Sequence, residues 1–334
     1  MLYLLISFLP LIWFIVKVSV RLLDKWEAKR CSFGDKKAYV LLMSSRRDHL
    51  ALKSAFSQLK KHDERYFYSL CASRFVTLDL MRKWVKSDPE SRDAYLCLGA
   101  KLIQSAWDAR GYGRGNEISE KSWEKYSEYL DEAGVALSKC IELDDNDATP
   151  WAYLLVVATG LSFDRDDKDY YFENAVARDP ENWAAHMHMI IAISEKWGGC
   201  NREMVKFAKE ASNKAPKGSD LSLLFVKAYL EEYKYLELFQ QNESGALIYK
   251  GSEAIANEIS DAYDQSDIAK NIESKKTSIF VRYNVSSWFC LTSDFSRLKN
   301  ELGNMRGRIQ DIHWRWAGAE GMLKPMKKKL GFSN

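Results

Sequence analysis

The chain has 334 residues, with 49 basic and 46 acidic side chains for a formal net charge of +3, and it is 46% hydrophobic and 28% charged. That near balance offers no electrostatic footprint for nucleic acid, and only 6 Pro and 17 Gly argue against long disordered linkers. The six cysteines, Cys31, Cys71, Cys97, Cys140, Cys200 and Cys290, are scattered with no C-x-x-C, which disfavours a disulfide framework or a zinc site and fits small buried thiols in a reducing compartment.

The first element predicted is a membrane anchor over residues 1–23. Leu2 to Val20 reads LYLLISFLPLIWFIVKVSV, with Lys17 as its one charge. About 20 apolar residues cross the hydrocarbon core as a helix, Lys17 can snorkel, and Pro10 is tolerated in such a helix. A cleaved signal peptide wants a basic start and a small-residue cleavage site, and neither is present. A buried core helix would show a polar face. Arg21, Lys25, Lys29 and Arg30 follow the span, so the positive-inside rule predicts a single-pass protein of the inner membrane with its C-terminal body in the cytoplasm. A periplasmic solenoid tethered by the same segment is the competing topology. With a cytoplasmic body, Asn242-Glu243-Ser244 and Asn284-Val285-Ser286 are chance glycosylation matches.

Residues 24–62 read as juxtamembrane helices. An amphipathic stretch to Arg30 is broken at Ser32–Asp35, and two helices follow, the second from Asp48 to Lys61 with Leu50, Leu52, Ala55, Phe56 and Leu59 at helical spacing. Glu64–Ala72 and Phe75–Lys86 form a hairpin closed by Asp88-Pro89.

Residues 63–220 carry a helical repeat. The tetratricopeptide pattern places W-x2-L-G-x2-Y on a first helix, small residues on a second, and Pro at the exit. Exits fall at Pro89, Asp145, Pro180 and Pro216. Six residues after each come Tyr95, Trp151, His186 and Ser222, the first in Tyr95-x2-Leu98-Gly99. Five residues before the last three exits come the small Cys140, Ala175 and Ala211. A two-helix unit cannot bury its apolar face alone, so small residues admit the second helix and a large ring fills the gap to the next unit. Exits at 145, 180 and 216 are 35 and 36 residues apart, but Pro89 to Asp145 is 56. The excess predicts an extended hairpin at 104–130 with a loop at Asp108–Asn116 and Ser119 capping a long second helix. Residues 221–323 follow as a C-terminal helical cap without the signature, with helices at Leu221–Leu238, Ser244–Tyr263, Ser278–Leu291, Asp294–Leu302 and Ile309–Ala319. Residues 324–334 form a basic tail. The fold predicted is all-α, a tetratricopeptide-like helical-hairpin solenoid preceded by one N-terminal transmembrane helix.

Trp107-Asp108-Ala109-Arg110-Gly111, Pro150-Trp151, Arg178-Asp179-Pro180 and Lys196-Trp197-Gly198-Gly199 occur in that order. Together they resemble a bacterial family of unknown function built from tetratricopeptide-like helices, over about a third of the chain, with Cys200 standing where a Ser is expected. The resemblance implies the repeat fold and brings no activity, substrate or cofactor with it.

No nucleophile elbow, H-E-x-x-H or P-loop occurs, so no catalytic residue, cofactor or metal is predicted. His186 and His188 point to different faces of one helix, and His186 takes the repeat's packing position. Asp164–Asp169 lacks the Gly and terminal Glu of a calcium loop and reads as a capped turn. Gly111-x-Gly113-x-Gly115 follows no strand and reads as a hairpin tip. The partner-binding candidates are Trp107, Arg110, Tyr112 and Arg114 at that tip, the arginines for an anionic group and the rings for stacking. The function predicted is a membrane-anchored, non-catalytic scaffold for a protein or peptide, bound on the concave face or the hairpin. The alternative is a helical enzyme or small-ligand-binding protein with a polar pocket near Arg110.

Overall fold

The computed structural model describes residues 22–111, 113–305, 308, 319 and 321–332. The predicted anchor at 2–20 and Tyr112 lie outside the described residues, and among the described residues no helix is long and apolar enough to cross a membrane. The protein is all-α, with no strand among the described residues. Residues 22–31 form α1. After it come α2 (Lys36–Ser44), α3 (Leu50–Phe56), α4 (His62–Phe75), α5 (Leu78–Ser87), α6 (Arg92–Arg110) and α7 (Glu120–Leu143). Then follow α8 (Ala148–Gly160), α9 (Arg165–Arg178), α10 (Trp183–Ala192), α11 (Asn201–Lys214), α12 (Leu224–Lys234), α13 (Glu243–Lys250) and α14 (Glu253–Gln265). The chain closes with α15 (Ser278–Leu291), α16 (Phe295–Asn304) and α17 (Leu323–Lys329).

Helix starts follow the side chains that can satisfy free backbone N–H groups. Ser91, Ser119, Asp147, Asp164 and Asn182 each accept from an N–H of the first turn of α6, α7, α8, α9 and α10. The predicted α3 is shorter than expected. Gln58 N–H donates to Ala55 O and Leu59 N–H to Phe56 O, tightening the last turn so that the chain leaves the helix before Lys61. The repeat positions pack as their chemistry requires. Cys140 and Ala175 are fully buried, while at α11 the buried small residue is Ala208 and Ala211 is only half-buried. A Cβ on Gly99 would sit 2.6 Å from Leu137 Cγ, so glycine there lets α7 close on α6. His186 is a packing residue: its ring meets Phe172 edge-on at 5.2 Å and its Nδ1 lies 2.9 Å from Asn182 O. Ser222 falls in a short 3-10 turn, Asp220–Leu223.

The inner face of the first helices is filled. Helix α4 packs against α6, α8 and α10 together. Tyr66 of α4 bonds His188 Nε2 at 3.0 Å and packs on Tyr153, whose hydroxyl meets Ser69 at 2.9 Å. From the other side Phe280 of α15 stacks on Trp183 of α10 at 5.6 Å and touches Phe67 of α4. At the N-terminal ends of these helices, buried Arg65 ties three elements. Its Nε donates to Asp147 Oδ2 at 2.5 Å and its Nη2 to Asp93 Oδ1 at 2.7 Å. His62 Nδ1 lies 3.2 Å from Asp147 Oδ1. In the C-terminal cap, fully buried Arg282 forks onto Glu301 with both contacts at 2.9 Å. The predicted basic tail carries α17, which docks with Lys329 Nζ 3.7 Å from the Phe295 ring centre.

Candidate functional site

The C-terminal ends of α6, α10 and α12 meet at one rim. Helix α6 ends at Arg110 because Gly111 follows with φ +76° and ψ −169°, a conformation essentially closed to residues with a Cβ. Helix α10 gives way to a 3-10 turn, Glu195–Trp197, and Gly198 takes a left-handed φ of +82°. Asn201, the first residue of α11, accepts from Glu195 N–H at 3.2 Å through its side-chain oxygen and ties that turn down. Helix α12 runs into a π-turn, Tyr235–Phe239, a local widening often found at functional sites.

Of the sequence-predicted residues, Trp107, Arg110 and Arg114 stand on this rim, and their first duty is to hold it. Arg110 lies over the Trp123 ring at 5.0 Å and the Trp107 ring at 5.7 Å. Its Nη1 donates to the carbonyls of Gly111 and Gly113, each at 3.2 Å, and Trp123 Nε1 donates to Gly115 O at 3.3 Å. The glycine loop therefore turns carbonyls inward, the opposite polarity from a phosphate-cradling loop, which presents N–H groups. Trp107 meets Tyr126 edge-on at 5.2 Å and Trp197 at 6.1 Å. Arg114 Nη2 donates to Leu238 O at 2.9 Å. The amide orientation of Gln241 that satisfies both groups lets its oxygen accept from Arg114 at 3.0 Å. The extended hairpin thus leans on the 195–197 turn and the π-turn rather than standing free. Trp107, Arg110 and Arg114 are brought to one rim, and Tyr112 lies outside the described residues.

Sequence reasoning missed the charged centre behind this rim. Glu231 of α12 is buried, and its Oε1 accepts from Lys227 Nζ and Lys234 Nζ, both at 2.6 Å. Its Oε2 accepts from Lys196 Nζ at 2.7 Å, from the 195–197 turn. Burial opposes the charged carboxylate, but the three ammonium groups outweigh it and hold Glu231 well below the usual carboxyl range. Burial, reinforced by Lys227 and Lys196 against the pull of Glu231, pushes Lys234 down to about 7. His188, facing this side, is pushed down to about 3 by burial and by Lys227, and so stays neutral. Lys227-x3-Glu231-x2-Lys234 sits in the apolar run LLFVKAYLEEYK. Charges inside such a run are the signal available from sequence. Lys196, 35 residues away, is joined to them only by the fold.

Apolar surface lies beside the charges. Leu238 and Phe239 on the π-turn are 50% and 54% exposed, and Leu247 and Ile248 on the adjoining α13 are 59% and 76% exposed. Tyr235 stacks on Phe239 with ring centres 5.8 Å apart, and its hydroxyl donates to Glu195 at 3.0 Å. The chain matches no known protein family, and no curated protein matches it. An open cleft of about 500 Å³ on the outer side of the α6–α7 hairpin is lined by Asp108, Ser119, Lys121, Lys125 and Tyr129. Its charges are of mixed sign, and the rim is the better-formed site. Among the described residues, no group of three or more acidic, His or Cys side chains is placed to hold a metal.

Proposed function

We propose that this chain is a non-catalytic, tetratricopeptide-like scaffold, tethered to the inner membrane by residues 2–20 with its body in the cytoplasm, and that it binds an acidic and apolar segment of a partner protein on the rim. The observation that carries the reading is the row of exposed Leu238, Phe239, Leu247 and Ile248 next to Arg114 and Lys196. Exposed apolar side chains on two adjoining elements suit the apolar part of a partner segment, and the Arg114 guanidinium at their edge favours an acidic group on it. The packed inner face supports the same choice. With α4 against α6, α8 and α10, the surface that a solenoid commonly offers a peptide is occupied by the chain itself. The tether rests on the apolar run at 2–20, and α1 supports it: Leu22, Leu23 and Trp26 are each at least 60% exposed, beside Lys25 and Lys29, as an interfacial helix requires.

Affinity purification from detergent-solubilised membranes tests the reading, with wild type compared against Phe239→Glu and Arg114→Ala. The expected result is one partner retained by wild type and lost from Phe239→Glu. Retention of the same partners by all three proteins would overturn it. The alternative, a small-ligand protein, is favoured by one observation, the buried lysine cluster.

A further inference from the structure

We infer that α1 is a binding site for anionic phospholipids, lying in the plane of the bilayer surface with Lys25 and Lys29 on the headgroup phosphates and Leu22, Leu23 and Trp26 at the acyl boundary. The inference deepens the proposed tether and rests on it for its geometry.

The argument begins with the helix itself. Residues 22–31 read LLDKWEAKRC and are helical throughout. At about 3.6 residues per turn, Lys25, Lys29, Leu22, Trp26 and Leu23 follow one another around a single arc. All five are exposed, while Ala28 and Cys31 on the opposite side are buried. The two acids of the helix lie off that arc. Asp24 is turned inward and ion-pairs with Arg46, and Glu27 at the edge pairs with Arg30 at 3.5 Å. Arg30 also lies 5.5 Å from the Trp26 ring centre. The open arc therefore holds apolar and basic side chains and no carboxylate. An interfacial helix has this composition: apolar groups sink below the headgroups while lysine stems run along them and lift the ammonium groups to the phosphates.

What covers the face follows from where the helix begins. The apolar run ends at Val20, and Leu22 opens α1. A ten-residue helix is only about 15 Å long, so all of α1 stays close to the end of a span at 2–20. A tryptophan beside such a span sits at headgroup level. The lysines there meet the surface potential of anionic lipids, which acts within about a Debye length.

The next helix extends the pattern. On α2, Lys36, Lys37 and Val40 are exposed on one side, with Ala38 and Leu42 buried on the other. The Arg46–Asp24 pair ties the chain just after α2 to the start of α1, and Arg47 next to it is exposed. Asp48, the exposed acid that follows, accepts from Leu50 N–H at 3.1 Å.

The full chain in nanodiscs of phosphatidylcholine with a minority of phosphatidylglycerol tests the site. Bromines that quench tryptophan are carried on the acyl chains of one lipid or the other. The Trp26 signal is the difference between wild type and Trp26→Phe. Brominated phosphatidylglycerol is expected to quench Trp26 at least about threefold more than its mole fraction predicts, and the excess should fade as salt is raised. Lys25→Gln/Lys29→Gln is expected to remove the excess, and Lys206→Gln, at an exposed lysine of α11, to leave it unchanged. Quenching in proportion to mole fraction, or no quenching by either lipid, would overturn the inference. Alkaline carbonate extraction separates this result from the tether. A chain that resists extraction but shows no excess keeps the tether and loses the lipid site. A chain that is extracted yet shows the excess loses the tether and keeps the lipid site.

Discussion

Replacing Arg65 with methionine probes how the first helices are held together. The side chain is 3% exposed and bonds two carboxylates on two other helices, Asp147 on the start of α8 and Asp93 in the first turn of α6. Asp147 is itself 2% exposed, so the substitution leaves a buried carboxylate with His62 and the Thr149 N–H as its remaining partners. Removing one member of a buried ion pair costs about 3–5 kcal/mol, a large share of the ~5–15 kcal/mol that stabilises a typical protein. Urea unfolding of the full chain in detergent, followed by helical circular dichroism, measures it. The pH dependence carries a second signature. Burial opposes ionisation of Asp147, but the bonds from His62 and Arg65 hold its carboxyl well below 3.8. Its contribution is therefore present above pH 4 and lost as pH falls below the unfolded value. The Asp147 bond raises His62 above 6.5, so that stabilisation is full below about pH 6.5 and fades as pH rises through the folded value. Asp147→Asn should flatten both slopes. A loss under about 1 kcal/mol for Arg65→Met would place this pair among screened surface bridges and refute the reasoning.

Further predictions concern the rim and the topology. Arg110→Ala removes two hydrogen bonds to the glycine loop and the contacts over the Trp107 and Trp123 rings that hold α6 to α7. It should raise amide exchange across residues 113–119 while lowering global stability by only about 1–2 kcal/mol. Lys234, pushed down to about 7 with Glu231, Lys227 and Lys196 as its charged neighbours, is deprotonated earlier in the folded chain than in the unfolded one. Stability should thus rise between pH 7 and pH 10.5, and Lys234→Met should remove that rise in a series of urea midpoints. Cys200 is exposed, whereas Cys31, Cys71, Cys97, Cys140 and Cys290 are buried. With the body in the cytoplasm as proposed, an impermeant maleimide should label Cys200 only after the membrane is broken, and labelling in intact cells would reverse the proposed topology.

Sequence periodicity reached the helices whose packing is local. Tyr95, Trp151 and His186 mark first helices, Cys140 and Ala175 sit buried on second helices, and the long spacing from Pro89 to Asp145 marks the extended pair α6 and α7. Contacts distant in sequence were not legible. Tyr66 meets His188 across 122 residues, Lys276 N–H donates to Asp63 across 213, and Arg114 reaches Leu238 O across 124. No spacing rule encodes such pairs. For the same reason Arg110 read as a free recognition residue, although its fork points back to its own loop. The continuous helix expected over Leu221–Leu238 is instead a 3-10 turn, an α-helix and a π-turn, because Ser219 Oγ caps the first turn and Gln240 N–H closes a wider ring onto Tyr235 O. That widening turns Leu238 and Phe239 outward.

Site-directed photo-crosslinking tests the central claim most directly. A photoreactive residue is placed at Phe239 on the rim and, as a comparison, at Val135, a still more open position on α7 that is 73% exposed. The account predicts a discrete adduct from position 239 in membranes, abolished by Leu238→Glu, and none from position 135. Matching adducts at both positions, or an adduct at 239 that survives Leu238→Glu, would contradict it.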